Sequence, residues 1–381
     1  MLPFSTIDFF LLLAGFFLLL LAVKKIGQRI IPYKSFLTFF VLFYLIFLFP
    51  SPIQALAFVA YGYLIYYLFD YVFKINRKLI GTALLLAPMI LIKAAAAPDI
   101  ISFAGLSYVT FRIIQIYLDN TGENKPCDLQ SYFLFMLFPQ TILIGPIDRS
   151  NRFFSDLNNG WKQITRSRID EGWETILLGL LQKFVFAEFI TRYVLSGIDT
   201  ESKETVEMLK YMYVYSFYLY FDFAGYSNLA IGSAKMFGID VPFNFNNPFI
   251  AVNPQDFWRR WHVTLSEWLR DYFFRPYYKW INGFKKLKDS PLLKANSGLF
   301  LTFVIMGCWN GFKSYFIISG CLFGLYSVVH NTYLVMCRKK GKDIVFGTMN
   351  PKLVRVISIF IMFNLVCFAL YVFSGKFPFI K

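Results

Sequence analysis

Apolar runs long enough to cross a membrane recur along the chain, and they constrain its fold more than any other feature. Three clear examples are FFLLLAGFFLLLLAV (9–23), IQALAFVAYGYLIYYLF (53–69) and RVISIFIMFNLVCFALYVF (355–373). A helix of about 20 residues spans a hydrocarbon core of about 30 Å. Only 16% of the 381 residues are charged, whereas soluble proteins contain about a quarter. The sequence therefore predicts an all-α polytopic membrane protein.

The net charge of +15 could suggest nucleic-acid binding, but its distribution favours a membrane topology. Basic residues cluster in short loops between apolar runs, a pattern typical of cytoplasmic loops. The clusters are Lys24–Lys34, Lys74–Lys78, Arg149–Arg168, Lys279–Lys294 and Arg338–Lys342. We predict a multi-pass membrane protein with an outside N-terminus and no nucleic-acid partner.

Ten segments are predicted to cross the bilayer, and this arrangement places every basic loop on one side. They are 9–23, 36–49, 53–71, 79–95, 99–118, 173–194, 208–236, 297–311, 315–336 and 354–374. The run SYFLFMLFPQTILIGPI (131–147) contains Pro139 and Gly145, which predict a re-entrant segment. With no internal repeat or polar linker, residues 1–381 are expected to form a single membrane domain without a metal or nucleotide site.

The stretch DFWRRWHVTLSEWLRDYFFRP (256–276) concentrates charge in an otherwise apolar chain. At the helical period of 3.6 residues, its tryptophans share one face. Two oppositely charged pairs at i,i+4 spacing, Asp256–Arg260 and Asp271–Arg275, would support that helix. We predict one amphipathic helix at the cytoplasmic interface, with its tryptophans at the depth of the lipid headgroups.

His262, one of two histidines in the chain, falls within this aromatic face. Taken alone, it fits a partly buried structural histidine better than a catalytic one. Upstream, a tyrosine-rich run carries Asp222, followed by Tyr226 and Ser227. A carboxylate at membrane depth costs about 3 kcal/mol and usually serves a partner or a water-filled cavity. The alternative is that tyrosine hydroxyls and a cation merely satisfy Asp222.

The segments YFDFAGYSNLAIG, NFNNPF and DFWRRWHVTLSEWLRDY occur in this order between residues 218 and 276. Together they resemble the central signature of the membrane-bound O-acyltransferases, in the bacterial branch that modifies cell-surface polymers. Two further stretches, GLSYVTFRIIQIYLDNTG (105–122) and GPIDRSNRF (145–153), are similar to the D-alanyl transfer proteins of teichoic-acid modification. Alginate-type O-acetylases share the architecture but usually differ at these two places.

The resemblance implies a ring of about ten transmembrane helices around a thin partition, with re-entrant and amphipathic interfacial helices. It implies transfer of D-alanine from a thioester to a hydroxyl of a cell-surface polymer on the far side of the bilayer. The donor would be the 4'-phosphopantetheine arm of a cytoplasmic D-alanyl carrier protein, and no cofactor would bind directly. Other implied partners are membrane proteins of the same pathway and the lipid bilayer.

The family places one histidine in the WRRWH segment, matched by His262, and a second in a later Trp-His-Gly motif. Here that motif reads Trp309-Asn310-Gly311, so Asn310 occupies the position of the histidine usually regarded as the catalytic base. An amide can donate a hydrogen bond but has no titratable nitrogen. Three interpretations follow: an engineered change, a homologue that uses His262 as its base, or a protein without catalysis.

Further residues are predicted to bind substrate or to line its passage. They are Asp222, Tyr226, Ser227, Trp261, Arg149, Asp148 and Trp309. Arg149, with Asp148 as its expected neighbour, could bind a phosphate or carboxylate, or it could extend towards lipid headgroups. The alternative functions are another surface-polymer O-acyltransferase, such as an O-acetylase, and a non-catalytic docking platform or exporter.

Overall fold

The computed structural model describes residue 4 and residues 6–26, 30–69, 78–94, 105–120, 127–284, 290–341 and 343–380. Within these ranges the regular secondary structure is helical, and no β-strand occurs. The chain divides into two compact units, residues 1–183 with 223–243 and residues 184–222 with 244–381. The predicted all-α fold is confirmed, and the single-domain expectation stays a prediction.

The first unit contains eight of the helices described here and the end of a ninth. They are α1 (Ile7–Ile26), α2 (Tyr33–Phe47), α3 (Pro52–Tyr67), α4 (Lys78–Lys93), α5 (Leu106–Asn120), α6 (Leu129–Leu137), α7 (Ser150–Asn159) and α8 (Arg166–Leu180). The ninth, α9 (Thr205–Met236), begins in the second unit and ends in the first. Helix α6 ends at Leu137 because Pro139 has no backbone N–H with which to continue it. The run 131–147 is thus interrupted at Pro139 as expected, and its re-entrant path stays a prediction.

The second unit continues with six further α-helices. They are α10 (Pro254–Trp258), α11 (Val263–Leu269), α12 (Arg275–Asn282), α13 (Pro291–Asn310), α14 (Ser314–Lys340) and α15 (Pro351–Phe373). Helices α1, α13, α14 and α15 are each long and apolar enough to cross a membrane. These four helices support the polytopic fold. The number of crossings, the ring and the outside N-terminus stay predictions.

The expected amphipathic helix over 256–276 is wrong as one continuous element. Helix α10 ends at Trp258, His262 has left-handed backbone angles, and α11 begins only at Val263. The predicted ion pairs do form, at 2.8 Å for Arg260–Asp256 and 2.9 Å for Arg275–Asp271. Local pairs of this kind stabilise a helix by only about 0.2–0.5 kcal/mol, so they cannot prevent tertiary contacts from breaking it.

The tryptophans of this segment pack against other parts of the protein, and their expected position at headgroup depth stays a prediction. Trp261 and Trp268 are each only 6% exposed. The ring of Trp258 lies 5.0 Å from that of Phe303 and 4.9 Å from that of Phe323. Ring contacts of this kind contribute to the packing of the segment against α13 and α14.

In the first unit, glycines allow α8 and α9 to approach closely. A Cβ atom on Gly179 would lie 2.8 Å from the carbonyl oxygen of Gly225, and one on Gly225 would lie 2.7 Å from the backbone nitrogen of Lys183. Both distances are too short for any side chain. Small residues at such crossings let membrane helices gain backbone packing without a hydrophobic driving force.

In the second unit, glycines likewise allow α13 and α14 to approach closely. A Cβ atom on Gly307 would lie 2.5 Å from the carbonyl oxygen of Phe316, and one on Gly320 would lie 2.5 Å from that of Phe303. Helix α14 is in turn linked to α15 by the Ser319 hydroxyl, which donates to the Ala369 carbonyl at 2.8 Å. These contacts hold the C-terminal end of α13 in place.

Arg112 on α5 holds the broken end of α6. Its side chain is 1% exposed, and its guanidinium donates to the carbonyls of Phe135 (2.7 Å), Met136 (3.3 Å) and Thr141. The last carbonyls of a helix have no partner within the helix, so a buried helix end needs outside donors. Arg112 therefore satisfies backbone carbonyls at the end of α6.

We expect Arg112→Met to lower the free energy of unfolding by roughly 2–4 kcal/mol, because buried carbonyls lose their donor. The control is Arg166→Met, because the Arg166 side chain is 95% exposed and its ion pair with Asp170 is long, at 3.8 Å. This control should change stability by less than about 0.5 kcal/mol. Unfolding of both purified variants in detergent measures the difference, and equal effects would contradict the role of Arg112.

Candidate active site

The candidate site in the second unit centres on the side-chain amide of Asn244. Its Oδ1 accepts hydrogen bonds from His262 Nδ1 at 3.0 Å, from Thr264 Oγ1 at 3.0 Å and from the Thr264 backbone nitrogen at 3.3 Å. The three residues are between 1% and 5% exposed. A single buried oxygen therefore satisfies three buried donors that would otherwise cost free energy.

Backbone hydrogen bonds join the same two segments. The Val263 nitrogen donates to the Asn244 carbonyl at 3.0 Å, and the Asn246 nitrogen donates to the Arg260 carbonyl at 2.9 Å. Between these bonds, His262 adopts φ 43° and ψ 51°. A left-handed conformation costs a non-glycine residue about 1–2 kcal/mol. The surrounding hydrogen bonds offset this cost and turn the imidazole towards Asn244.

The hydrogen bonds define the tautomer of His262. A backbone N–H can donate only to the oxygen of the Asn244 amide, so the atom facing Thr264 and His262 is an acceptor. Nδ1 of His262 must then carry the proton, which leaves the lone pair on Nε2. Burial lowers the pKa of His262 to about 3, so the ring is neutral at physiological pH. At physiological pH the lone pair of Nε2 is therefore unprotonated.

Aromatic rings surround the His262 turn. The Trp261 ring is 5.2 Å from that of Phe245 and stacks 5.6 Å from that of Phe257. On its other side, the imidazole of His262 lies 6.1 Å from the ring of Trp309. The structure therefore brings together His262 and the Trp309-Asn310 pair, which are far apart in the sequence.

Asn310 is the last residue of α13 and is exposed, while the adjacent Trp309 is half-buried. The Asn310 Nδ2 donates to the Met306 carbonyl, one turn earlier in the helix, at 2.9 Å. One amide hydrogen and the amide oxygen remain to contact another molecule.

Asp222 also belongs to the second unit, where it is half-buried on α9. Two residues earlier on this helix, the ring of Tyr220 lies 6.3 Å from that of Trp261. The tyrosine-rich helix thus packs against the aromatic surroundings of the His262 turn.

Tyr226 and Ser227 lie on the part of α9 that belongs to the first unit. Ser227 is fully buried, and Tyr226 is 6% exposed. The Lys183 ammonium lies 5.6 Å from the centre of the Tyr226 ring, a cation–π distance. Within the first unit, Tyr226 therefore has a cationic neighbour.

Asp148 is fully buried in the first unit and pairs with Arg152 rather than with the Arg149 guanidinium. Its Oδ1 accepts from Arg152 Nε at 3.1 Å and from the Arg149 backbone nitrogen at 2.6 Å. Burial raises the pKa of Asp148, and the positive charge of Arg152 opposes that rise. The expectation that Asp148 neighbours the Arg149 side chain is corrected, because the first turn of α7 points Arg152 back at the carboxylate.

Sequence reasoning missed two buried amides. Asn244 lay in the quoted NFNNPF segment, whose asparagines were the available signal, but its contacts with His262 depend on the tertiary fold. Gln140, in the first unit, is 1% exposed, and neither polar atom of its amide has a hydrogen-bond partner among the described residues. Such a group requires water or a ligand.

We expect Asn244→Ala to lower the free energy of unfolding by roughly 2–4 kcal/mol, because three donors lose their shared acceptor. Asn350→Ala is the matched control. Among the described residues, its Oδ1 accepts only from the Lys352 nitrogen, at 2.9 Å and at an exposed helix start, so about 1 kcal/mol should be lost. Denaturant unfolding in detergent measures both, and a smaller loss for Asn244→Ala than for Asn350→Ala would contradict the role of Asn244.

His262 should make stability depend on pH. Its pKa falls from 6.5 to about 3 on burial, so the unfolded chain binds the proton more tightly. The contribution of neutral His262 to the free energy of unfolding is complete above pH 6.5. It is lost as the pH falls towards 3, by up to about 1.4 kcal/mol per pH unit. Unfolding between pH 7.5 and 4.5 should show a shallower decline for His262→Gln than for the native protein. Parallel curves of unfolding free energy against pH for the two proteins would refute this role of His262.

Comparison with known proteins supports the assignment of the motifs. The model of the MBOAT, membrane-bound O-acyltransferase family matches residues 45–372. The chain is 38% identical over 283 residues to the teichoic acid D-alanyltransferase of Bacillus subtilis (strain 168), covering 73% of this chain and 70% of that protein. It is 32% identical to the enzyme of that name from Streptococcus thermophilus (strain ATCC BAA-250 / LMG 18311), covering 77% and 74%.

The alignment with a relative of another named activity covers a smaller share of that relative. The chain is 35% identical over 249 residues to the peptidoglycan O-acetyltransferase of Helicobacter pylori (strain ATCC 700392 / 26695), covering 64% of this chain and 44% of that protein. Because the family model spans most of the sequence, this chain belongs to the membrane-bound O-acyltransferase family.

Proposed function

We propose that this protein transfers D-alanine from a carrier-protein thioester to a hydroxyl group of a teichoic acid. Two relatives with this named activity align over about three quarters of the chain, and the O-acetyltransferase relative aligns over less of it. D-Alanine is therefore favoured over acetate as the acyl group.

One geometric observation carries the proposal: the imidazole of His262 lies 6.1 Å from the ring of Trp309, next to Asn310. Both family motifs that would hold histidines thus meet in the second unit, although only one retains its histidine. The Asn244 contact leaves the lone pair of His262 on Nε2, which is the protonation state that a general base needs.

The proposed reaction exchanges a thioester for an oxygen ester. The hydroxyl oxygen attacks the thioester carbonyl, its proton passes to His262 Nε2, and the C–O bond forms. The C–S bond then breaks, and the departing thiolate takes the proton from the imidazolium. The remaining amide hydrogen of Asn310 would donate to the oxygen of the tetrahedral intermediate, as oxyanion donors do in acyl transfer.

The other residues would bind and orient the substrates rather than exchange protons. In the second unit, Trp261, Trp309 and Asp222 would line the path of the acyl group and the acceptor. In the first unit, Tyr226 and Ser227 would do the same, and Arg149 would bind an anionic group while Asp148 orients the start of α7.

The donor would be a D-alanyl thioester on the 4'-phosphopantetheine arm of a small cytoplasmic carrier protein. This arm reaches the enzyme as part of its substrate, so no resident cofactor is needed. The protein would work in the cell membrane with its N-terminus outside, beside other membrane proteins of the pathway. The basic loops would face the cytoplasm and the carrier protein.

The test is D-alanyl transfer by the purified protein in liposomes, supplied with carrier protein loaded with radiolabelled D-alanine and with lipoteichoic acid. We expect the native protein to form labelled ester. His262→Gln should lower the rate by about 10²–10⁴-fold, the usual effect of losing a general base. The control His330→Gln removes the other histidine of the chain and should retain the rate within a few-fold.

Two results would contradict the proposal. If native protein forms labelled ester with an acetyl donor but not with D-alanyl carrier protein, the acyl group is wrong. If His262→Gln and His330→Gln transfer D-alanine equally well, His262 is not the base.

A second candidate function is a docking platform that binds the carrier protein without transferring its acyl group. The observation favouring it is Asn310, since the amide cannot accept a proton in place of the family histidine. The discriminating variant is Asn310→His. If native protein binds the carrier without forming ester, and Asn310→His gains transfer at unchanged carrier affinity, the docking function is correct.

A further inference from the structure

A cavity of about 1,120 Å³ lies in the second unit, where α14 and α15 meet the segment around α10. We call it the α14–α15 cavity. Its apolar wall is formed by both helices and includes Leu325 and Val329 of α14 with Ile361 and Leu365 of α15. Both helices are long and apolar enough to cross a membrane. The wall therefore offers an acyl chain an apolar surface along a membrane helix.

The lining of this cavity contains more arginines than aspartates. Three arginines, Arg259, Arg260 and Arg355, line it together with two aspartates, Asp256 and Asp343. The excess of one positive charge among these five favours an anionic ligand, since opposite charges attract more strongly beside an apolar wall than in water.

Both aspartates already have partners in the protein. Asp256 accepts from Arg260 at 2.8 Å and from the Val252 nitrogen at 3.1 Å. Asp343 accepts from the Tyr333 hydroxyl at 2.5 Å and from two backbone nitrogens of the following turn at 2.9 and 2.8 Å. Their acceptor oxygens are thus used within the protein, and one of the three arginines is neutralised by Asp256.

The two remaining arginines differ from Arg260. The side chains of Arg259 and Arg355 are exposed to the cavity and make no ion pair or side-chain hydrogen bond with any residue in the described parts of the chain. A guanidinium has five N–H donors and binds phosphate oxygens in a bidentate manner. Both groups line the cavity with donors available to a phosphate.

We propose that the α14–α15 cavity binds an anionic phospholipid, with its phosphate at Arg259 and Arg355 and an acyl chain along the apolar wall. The charge excess selects an anionic headgroup, and the membrane-spanning helices that form the wall select a ligand with a hydrocarbon chain. This inference concerns a lipid site in the second unit and does not depend on the transfer reaction.

The test is equilibrium binding of radiolabelled dioleoyl phosphatidylglycerol to the purified full-length protein in dodecyl maltoside, with dioleoyl phosphatidylcholine as the zwitterionic comparison. We expect the anionic lipid to bind at least about tenfold more tightly, because the excess positive charge of the cavity attracts its net negative charge and repels the choline cation of the other lipid. The double variant Arg259→Gln with Arg355→Gln should bind both lipids with similar affinity. Val329→Trp, which narrows the apolar part of the cavity, should weaken binding of both.

The matched control removes two positive charges outside the cavity, by Arg338→Gln with Lys339→Gln at the exposed end of α14. It should retain the preference for phosphatidylglycerol. Equal loss of the preference for phosphatidylglycerol in both double variants would overturn the proposal, because it would show a general effect of surface charge. So would equal affinity of native protein for the two lipids.

Competitors distinguish the source of the phosphate. Inorganic phosphate and phosphopantetheine at millimolar concentration should leave bound phosphatidylglycerol in place, because neither supplies an acyl chain. Displacement by inorganic phosphate would show that the apolar wall plays no part. Displacement by phosphopantetheine alone would assign the cavity to the donor arm, and either result would overturn the lipid proposal.

Discussion

The arrangement of the candidate site depends on one shared hydrogen-bond acceptor, the side-chain oxygen of Asn244. It accepts from His262 and twice from Thr264, in surroundings that exclude most water. A buried donor without an acceptor costs about 1–3 kcal/mol, so satisfying three of them offsets the left-handed backbone of His262. The same contact sets the tautomer of the imidazole and directs its lone pair away from Asn244. The backbone conformation of His262 and the tautomer of its ring thus both depend on the hydrogen bonds of Asn244.

The same requirement explains how an apolar chain tolerates broken helices. Where α6 stops before Pro139, the guanidinium of Arg112 supplies donors to the exposed carbonyls. Where helices must approach closely, as at Gly307 and Gly320, the absence of side chains allows backbone packing instead. Polar backbone groups that would be hydrated in water are satisfied here by buried side chains, and this makes irregular segments possible within a membrane fold.

Sequence reasoning correctly predicted the membrane fold, the interruption of 131–147 at Pro139 and the ion pairs of 256–276. It failed for the continuity of the helix over 256–276, because helical periodicity measures one segment at a time. The contacts that break this helix at His262 come from Asn244, eighteen residues earlier. It also paired Asp148 with Arg149, its neighbour in sequence, although the turn of α7 brings Arg152 to the carboxylate.

By itself, the sequence determined that this chain is helical and membrane-embedded, since its apolar runs leave few other ways to satisfy the backbone. It also determined the chemical groups available, including the substitution of asparagine for histidine at position 310. Only the tertiary structure decided that His262 leaves the helix, that Nδ1 carries its proton and that its ring meets Trp309. Those properties arise from hydrogen bonds and ring contacts between distant segments, which no local pattern of residues encodes.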